Sequence, residues 1–309
     1  NPSVQDVYEP GSTGKVMTLA AALEEKKVTP ETVLTIPYAL KRSTKVFHDH
    51  EPHPDQRLTT AGVLAVSSNT GSIKIGEMLS NDKLYDYLTK FGIGTKTGSG
   101  LPGESRGILP KVADWSGTTA PTVAFGQGYS LTAMQATSVF ATIANDGVRV
   151  SPTVIAGKSD SSGNYTPSAT RESVRVISSD TAAKMRLMME SVVSANGTAP
   201  SAAIPGYRVA GKTGTAQRID DTCGCYRGYT ASFIGFAPAD NPAYVISVTI
   251  QDPKGLHWGG YLGGPVFKKV MSFVLQSKGI APTGTAVVPY PLTEKQLIAA
   301  KKAASVKTN

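Results

Sequence analysis

Residues 9–19 read Glu9-Pro10-Gly11-Ser12-Thr13-Gly14-Lys15-Val16-Met17-Thr18-Leu19, and the fold turns on how this stretch is read. Glu9-Pro10-Gly11 is a turn that breaks into a helix. Val16, Leu19, Ala20 and Leu23 share one face, which predicts a helix over residues 12–25. Ser12 then stands at a helix N-terminus, where unpaired N–H groups and the positive dipole end favour a developing negative charge. Lys15 follows one turn on, on the same face and within reach of Ser12. The plainer reading makes Ser12 an N-cap and nothing more. A lysine removes a serine proton only when neutral, which requires a pKa depressed by burial or by a neighbouring cation.

Two downstream motifs favour the chemical reading. Ser67-Ser68-Asn69 falls between short apolar helices predicted over 60–66 and 71–79, so its side chains point into a cleft. There the Ser67 hydroxyl suits a proton relay to a leaving amine, and the Asn69 amide suits holding a substrate peptide group. Lys212-Thr213-Gly214-Thr215 continues a strand-like run over 207–210 and precedes a hairpin. A strand edge there offers backbone groups to an extended peptide. Lys212, Thr213 and Thr215 present charge and hydroxyl donors for a carboxylate, with Gly214 between them. Lys212 is also a candidate for the cation that depresses Lys15.

The same letters recur elsewhere, and context separates them. Ser80-Asn81-Asp82-Lys83 straddles a helix break, so Ser80 or Asn81 is read as a cap. Ser162-Gly163-Asn164 lies in a polar loop and Ser194-Ala195-Asn196 ends a helix before Gly197. Lys96-Thr97-Gly98 sits in a glycine-dense loop without strand pattern and is read as a turn.

Around these motifs, further helices are predicted over 82–91, 131–145 and 181–194, the last capped by Ser179 or Asp180, and over 265–276. Strands at 229–236 and 244–251 flank Asp240-Asn241-Pro242 as an antiparallel hairpin. Helices running ahead of an antiparallel sheet backed by helices make an α+β fold. A chain of 309 residues, 40% hydrophobic, is long enough for one large domain or two interleaved parts. Residues 1–281 are assigned to the domain, with a helical part over roughly 23–196 and a sheet part over 1–22 and 197–281. Residues 282–309, rich in Pro, Ala and Lys, are read as a surface-hugging or disordered tail. No run of eighteen apolar residues occurs. The net charge of +8 fits anionic surroundings, but without a Lys/Arg block or interleaved aromatics nucleic acid is set aside.

Ser-x-x-Lys, Ser-Asp-Asn and Lys-Thr-Gly in this order are the signature of penicillin-binding proteins and serine β-lactamases, and over residues 1–279 the chain resembles the former, with Ser68 where the signature has Asp. Leu101-Pro102-Gly103-Glu104, Phe125-Gly126-Gln127-Gly128-Tyr129-Ser130-Leu131-Thr132 with Gln135, and Gly260 with Gly263, Pro265, Val266 and Phe267 carry the likeness further. The stretch 126–135 looks like the class B type, which has no glycosyltransferase domain. Glu104-Ser105-Arg106-Gly107-Ile108-Leu109-Pro110 with Trp115 looks like the division-specific branch.

The resemblance implies a penicillin-binding, serine-β-lactamase-like fold and a D,D-transpeptidase acting on peptidoglycan stem peptides through an acyl-enzyme at Ser12. It implies Lys15 as base, Ser67 as proton shuttle, and Asn69 and Lys212 in support. Thr213, Gly214 and Thr215 would bind substrate, with the N–H groups of Ser12 and Thr215 forming the oxyanion hole. It also implies covalent binding of β-lactams, septal work beside a SEDS-family glycan polymerase and other division proteins, and the outer face of the cell membrane as location. The first strands of the sheet, a pedestal module and a membrane anchor would lie outside this chain.

A D,D-carboxypeptidase differs only in using water as acceptor, and a β-lactam sensor keeps the acylation machinery. A class A β-lactamase needs a deacylating Glu. Glu77-Met78-Leu79-Ser80-Asn81 has the letters, but lies on a predicted helix only eight residues past Asn69. The chemistry needs no cofactor and no metal. His48-Asp49-His50-Glu51-Pro52-His53 is accordingly read as an exposed loop rather than a metal site. His257 is read as a packed loop residue, with a place on the cleft floor as the alternative, and Cys223-Gly224-Cys225 as either a small disulfide or a free pair.

Overall fold

In the computed structural model, residues 1–169, 171–220 and 222–307 are described. The strands Ala210–Asp220, Cys225–Ala237 and Tyr244–Gln251 form an antiparallel sheet with Cys225–Ala237 in the middle. Lys212 pairs with Ile234, Thr213 with Phe233, Gly214 with Ser232 and Thr215 with Ala231. Alternation sends Phe233 to one face of the sheet and Ile234 to the other. Phe233 meets Phe267 of the helix Gly259–Ser277 edge-on, ring centroids 4.9 Å apart, and Met271 and Leu275 extend that layer. On the other side the helices Ala133–Ala144 and Ser179–Val193 pack against the sheet. Helices on both faces of an antiparallel sheet bear out the α+β expectation.

The helix Lys15–Glu24 runs through the middle of the helical body. Every residue from Lys15 to Leu23 is buried, as a helix apolar nearly all round must be. It packs against Asn69–Gly76, Asn81–Lys90 and Ser179–Val193. Ser12, in the turn ahead of its N-terminus, thus sits between the sheet and the helices. Among the described residues no helix is long and apolar enough to cross a membrane.

Several boundaries move. The predicted helix over 12–25 begins as a 3-10 turn, Gly11–Gly14, before the α-helix. Asn69 opens a helix instead of lying between two, because the Ser68 hydroxyl caps it through Gly71 N. Leu131–Thr132 is a short strand paired with Val7–Tyr8, and the helix after it starts at Ala133 behind a Thr132–Gln135 capping box. Ser178, not Ser179 or Asp180, caps Ser179–Val193. The strand expected over 207–210 begins at Ala210 and carries the Lys212 motif within it.

Residues 282–309 hold a helix, Glu294–Lys307, that composition alone concealed. The prolines stop at Pro291, and the helix is built mostly of Glu, Lys, Gln, Leu and Ala, all strong helix formers. The stretch before it is tied down, with Thr59 N donating to Leu292 O at 3.1 Å and Thr59 Oγ1 to Pro291 O at 2.6 Å.

Candidate active site

The serine turn is held from three sides. Gly11 N donates to Gly126 O at 2.8 Å, and Gly128 N to the buried Glu9 carboxylate at 2.8 Å. Thr13 Oγ1 donates to Pro10 O at 2.8 Å. Close approach explains two glycines. A Cβ on Gly126, at φ +96°, would lie 1.8 Å from Gly11 O. One on Gly214 would lie 2.4 Å from Ser232 Oγ and 2.9 Å from Pro10 O. The Lys-Thr-Gly glycine therefore lets the serine turn rest on the edge strand.

The three motifs converge. Lys15, in the first turn of its helix, is fully buried, and its Nζ hydrogen-bonds Ser67 O at 2.5 Å, Ser67 Oγ at 3.2 Å and Asn69 Oδ1 at 2.7 Å. Lys212, also fully buried, donates from the strand to Ser67 Oγ at 2.8 Å and to the carbonyl and hydroxyl of Thr213 at 3.2 and 3.3 Å. Ser67 Oγ thus lies between two lysine nitrogens. Its backbone has φ +61°, a left-handed conformation that costs a residue with a Cβ of order 1–3 kcal/mol. Such an outlier at the junction of three motifs points to a geometry retained for chemistry.

Electrostatics follow from burial. Desolvation pulls the pKa of Lys15 from 10.5 down to about 7, with the Asp49 carboxylate opposing the shift. Burial, and then repulsion from Lys15, hold Lys212 well below the usual lysine range. Lys212 was the sequence-based candidate for the cation that depresses Lys15, but burial is the main cause. The ammonium form of Lys15 donates to Ser67 O, Ser67 Oγ and Asn69 Oδ1. The neutral form keeps two N–H donors and frees one lone pair to take a proton.

Ser12 borders two cavities. One, of about 250 Å³, lies between Ser12, Asn69, Phe125, Gln127 and Tyr229. The other, of about 550 Å³, lies between Ser12, Ser67, Thr198, Thr213 and Gly260. Thr215, His50 and Trp258 line both. Thr213 Oγ1 lies 2.9 Å from Thr198 Oγ1, and Gly259 N donates to Thr215 Oγ1 at 3.1 Å, so both hydroxyls are oriented. The strand Ala210–Asp220 is an edge of its sheet, so its outer side remains open to an extended partner.

Sequence reasoning missed the aromatic wall. Tyr229 stacks on His257 at 4.0 Å and 9°, His257 leans on Trp258 at 5.0 Å, and Trp258 meets His50 edge-on at 5.4 Å. His257 thus lines the cavity next to Ser12, which favours the cleft-floor alternative over the packed loop residue. The preceding run of Pro, Lys and Gly made the stretch look like a plain loop; the adjacent aromatic Trp258 was the available signal.

The look-alike motifs lie apart from these residues. Ser80 caps Asn81–Lys90 through Lys83 N. Ser194 ends its helix, and Ser162 N and Asn164 N bond Asp160 in a turn. Lys96-Thr97-Gly98 is a loop clamped by Glu104, which accepts from Thr97 N at 2.6 Å. Glu77 is held by Arg42 through Nη2 at 2.8 Å at the far end of its helix from Asn69. Cys223 and Cys225 form a disulfide.

The chain matches known proteins along most of its length. A sequence profile described as the penicillin-binding protein transpeptidase domain matches residues 1–272. Penicillin-binding protein PbpB of Mycolicibacterium smegmatis is 40% identical over 290 residues, 91% of this chain and 45% of that protein. A probable peptidoglycan D,D-transpeptidase PenA of Neisseria flavescens is 35% identical over 301 residues, 94% of this chain and 71% of that protein. The crystal structure of penicillin-binding protein 3 from Mycobacterium tuberculosis with ampicillin superposes with a TM-score of 0.90 at 37% identity, covering 95% of this chain and 67% of that one. The chain spans less than half the length of the PbpB relatives. With the three motifs joined through one hydroxyl and the family profile matching residues 1–272, the chain belongs to the penicillin-binding protein transpeptidase family, in its class B type.

Proposed function

We propose that the protein is a serine D,D-transpeptidase that cross-links peptidoglycan stem peptides and is acylated by β-lactams. The observation that carries this reading is Ser67 Oγ held between Lys15 Nζ and Lys212 Nζ, with Ser67 at the wall of the larger cavity that Ser12 borders. Neutral Lys15 takes the Ser12 proton as Ser12 Oγ attacks the carbonyl of the penultimate D-alanine. The tetrahedral oxyanion is met by the backbone N–H groups of Ser12 and Thr215, a device worth roughly 3 kcal/mol per donor. The proton passes through Ser67 to the leaving amine, and terminal D-alanine departs. An amine from a neighbouring strand then attacks the ester, giving its proton back along the same route and freeing Ser12. Asn69 aligns the stem peptide, and Thr213 and Thr215 receive its carboxylate, with Lys212 buried behind Thr213 and Ser67.

The class B type lacks its own glycosyltransferase, so the glycan must come from another protein held nearby. We place the whole protein at the division septum, on the outer face of the membrane, beside a SEDS-family polymerase and other division proteins. The loop over residues 104–110 with Trp115 and the +8 charge support this placement. Incubation of the full-length protein with a donor pentapeptide and an acceptor amine tests the activity. Release of D-alanine with formation of the cross-linked product is expected. D-alanine without cross-link would make the protein a carboxypeptidase, and neither product would reject the reading. Depletion in cells should give filaments or branched cells; rounded cells that still divide would remove the septal assignment.

A further inference from the structure

The segment His48–His53, a candidate metal site by its letters, does something else in the fold. The hairpin Ala39–Arg42/Lys45–His48 brings it against the Ser67 motif. His48 O accepts from Asn69 Nδ2 at 2.9 Å, which turns Asn69 Oδ1 toward Lys15. Asp49 Oδ1 accepts from the backbone N–H of Asn69 at 2.5 Å and of Thr70 at 3.0 Å. Its Oδ2 accepts from Ser68 Oγ at 2.7 Å and Thr70 Oγ1 at 3.3 Å. A carboxylate at this place satisfies two open donors of the helix Asn69–Gly76 and interacts with its positive end.

His53 holds the carboxylate in turn. Its Nε2 lies 3.1 Å from Asp49 Oδ2 and its Nδ1 2.7 Å from Pro54 O. An imidazole with an acceptor on each side donates to both only as the imidazolium. The pair is shielded, the side chains of His53 and Asp49 being 14% and 9% exposed. Burial disfavours the charged ring, but the Pro54 carbonyl, Asp49 and Asp55 outweigh it and raise the His53 pKa. The other groups facing Asp49 are Lys15 and His50, and the Tyr38 ring edge closes on His53.

We propose that Asp49, clamped by His53, is a positioning residue that presents Ser67 and Asn69 to Lys15. The two N–H groups it receives fix the start of the helix that carries Asn69, and through Ser68 they fix the strained backbone of Ser67. Its negative charge also bears on Lys15, so it sets geometry and proton affinity together. This rests on the acyl-transfer reading above, and the test keeps the two apart.

The test measures the second-order rate of acylation by a fluorescent penicillin from pH 5 to 9, with Tm, in the full-length protein and its Asp49→Ala, Asp49→Asn and His53→Gln variants. Asp49→Ala should slow acylation about tenfold to a hundredfold, as expected for a displaced reacting group. Asp49→Asn keeps an oxygen for Asn69 N and Thr70 N and should recover part of the rate. Both should move the midpoint of the pH profile to lower pH, because the charge that favours protonated Lys15 is gone. His53→Gln keeps a donor for Asp49 and should not lower the midpoint. Rates within twofold of the unaltered protein, or a loss of rate that tracks Tm with the midpoint unchanged, would overturn the proposal. If the unaltered protein itself fails to acylate, the acyl-transfer reading falls and this one with it.

Discussion

The pH dependence of acylation tests the proposed base directly. Lys15 is fully buried, and desolvation brings its pKa from 10.5 to about 7. Only the neutral amine accepts the Ser12 proton. With a value near 7, about half of the protein is competent at pH 7, about a tenth at pH 6 and nearly all at pH 8. The acylation rate should thus climb about tenfold from pH 5 to 6, then level off and gain only about twofold between pH 7 and 9. A lysine at its ordinary value would keep gaining about tenfold per unit, roughly a hundredfold over that same interval. Stopped-flow acylation with a labelled penicillin separates these outcomes. Lys15→Arg provides the control, because a guanidinium does not deprotonate in this range. It should lose at least about a hundredfold at every pH. A rate still rising steeply at pH 9, or a near-normal rate for Lys15→Arg, would refute the assignment of Lys15 as base.

Ser67→Ala removes the hydroxyl between the two lysines and should slow acylation by about a hundredfold to ten-thousandfold, measured with the same probe. Lys212→Ala should also cost orders of magnitude, whereas Lys96→Ala, in a loop clamped by Glu104, should stay within a few-fold; equal effects would dissociate the strand motif from the site. Gly126→Ala places a Cβ 1.8 Å from Gly11 O at φ +96° and should lower both Tm and acylation. Gly163→Ala, also at positive φ but with no atom within 4 Å, should cost only about 1 kcal/mol of stability and leave acylation intact.

The parts that could be read from the sequence were those governed by local rules. The turn Glu9-Pro10-Gly11 and the apolar face after Lys15 gave away the central helix, and the β-forming runs on either side of Asp240-Asn241-Pro242 gave away the hairpin. Position within elements was legible too, with Lys212 on a strand, Lys96 in a loop and Ser80 a helix cap. Long-range contacts were opaque. Asp49 is twenty residues from Asn69, and its role arises only when a hairpin folds back onto a helix start. The wall of Tyr229, His257 and Trp258 brings together a strand and a loop with no shared periodicity. The C-terminal helix Glu294–Lys307 was hidden because prolines nearby masked its helix-forming composition.

The central claim is that Ser12 is the acylated nucleophile. Brief incubation with a penicillin, proteolysis and tandem mass spectrometry locate the adduct. One added penicilloyl group is expected on the peptide containing Ser12, persisting for many minutes because Glu77, the carboxylate that carries the letters of a deacylating motif, is held by Arg42. Label on the Ser80 peptide, or multiple-turnover hydrolysis of the penicillin within seconds, would contradict it.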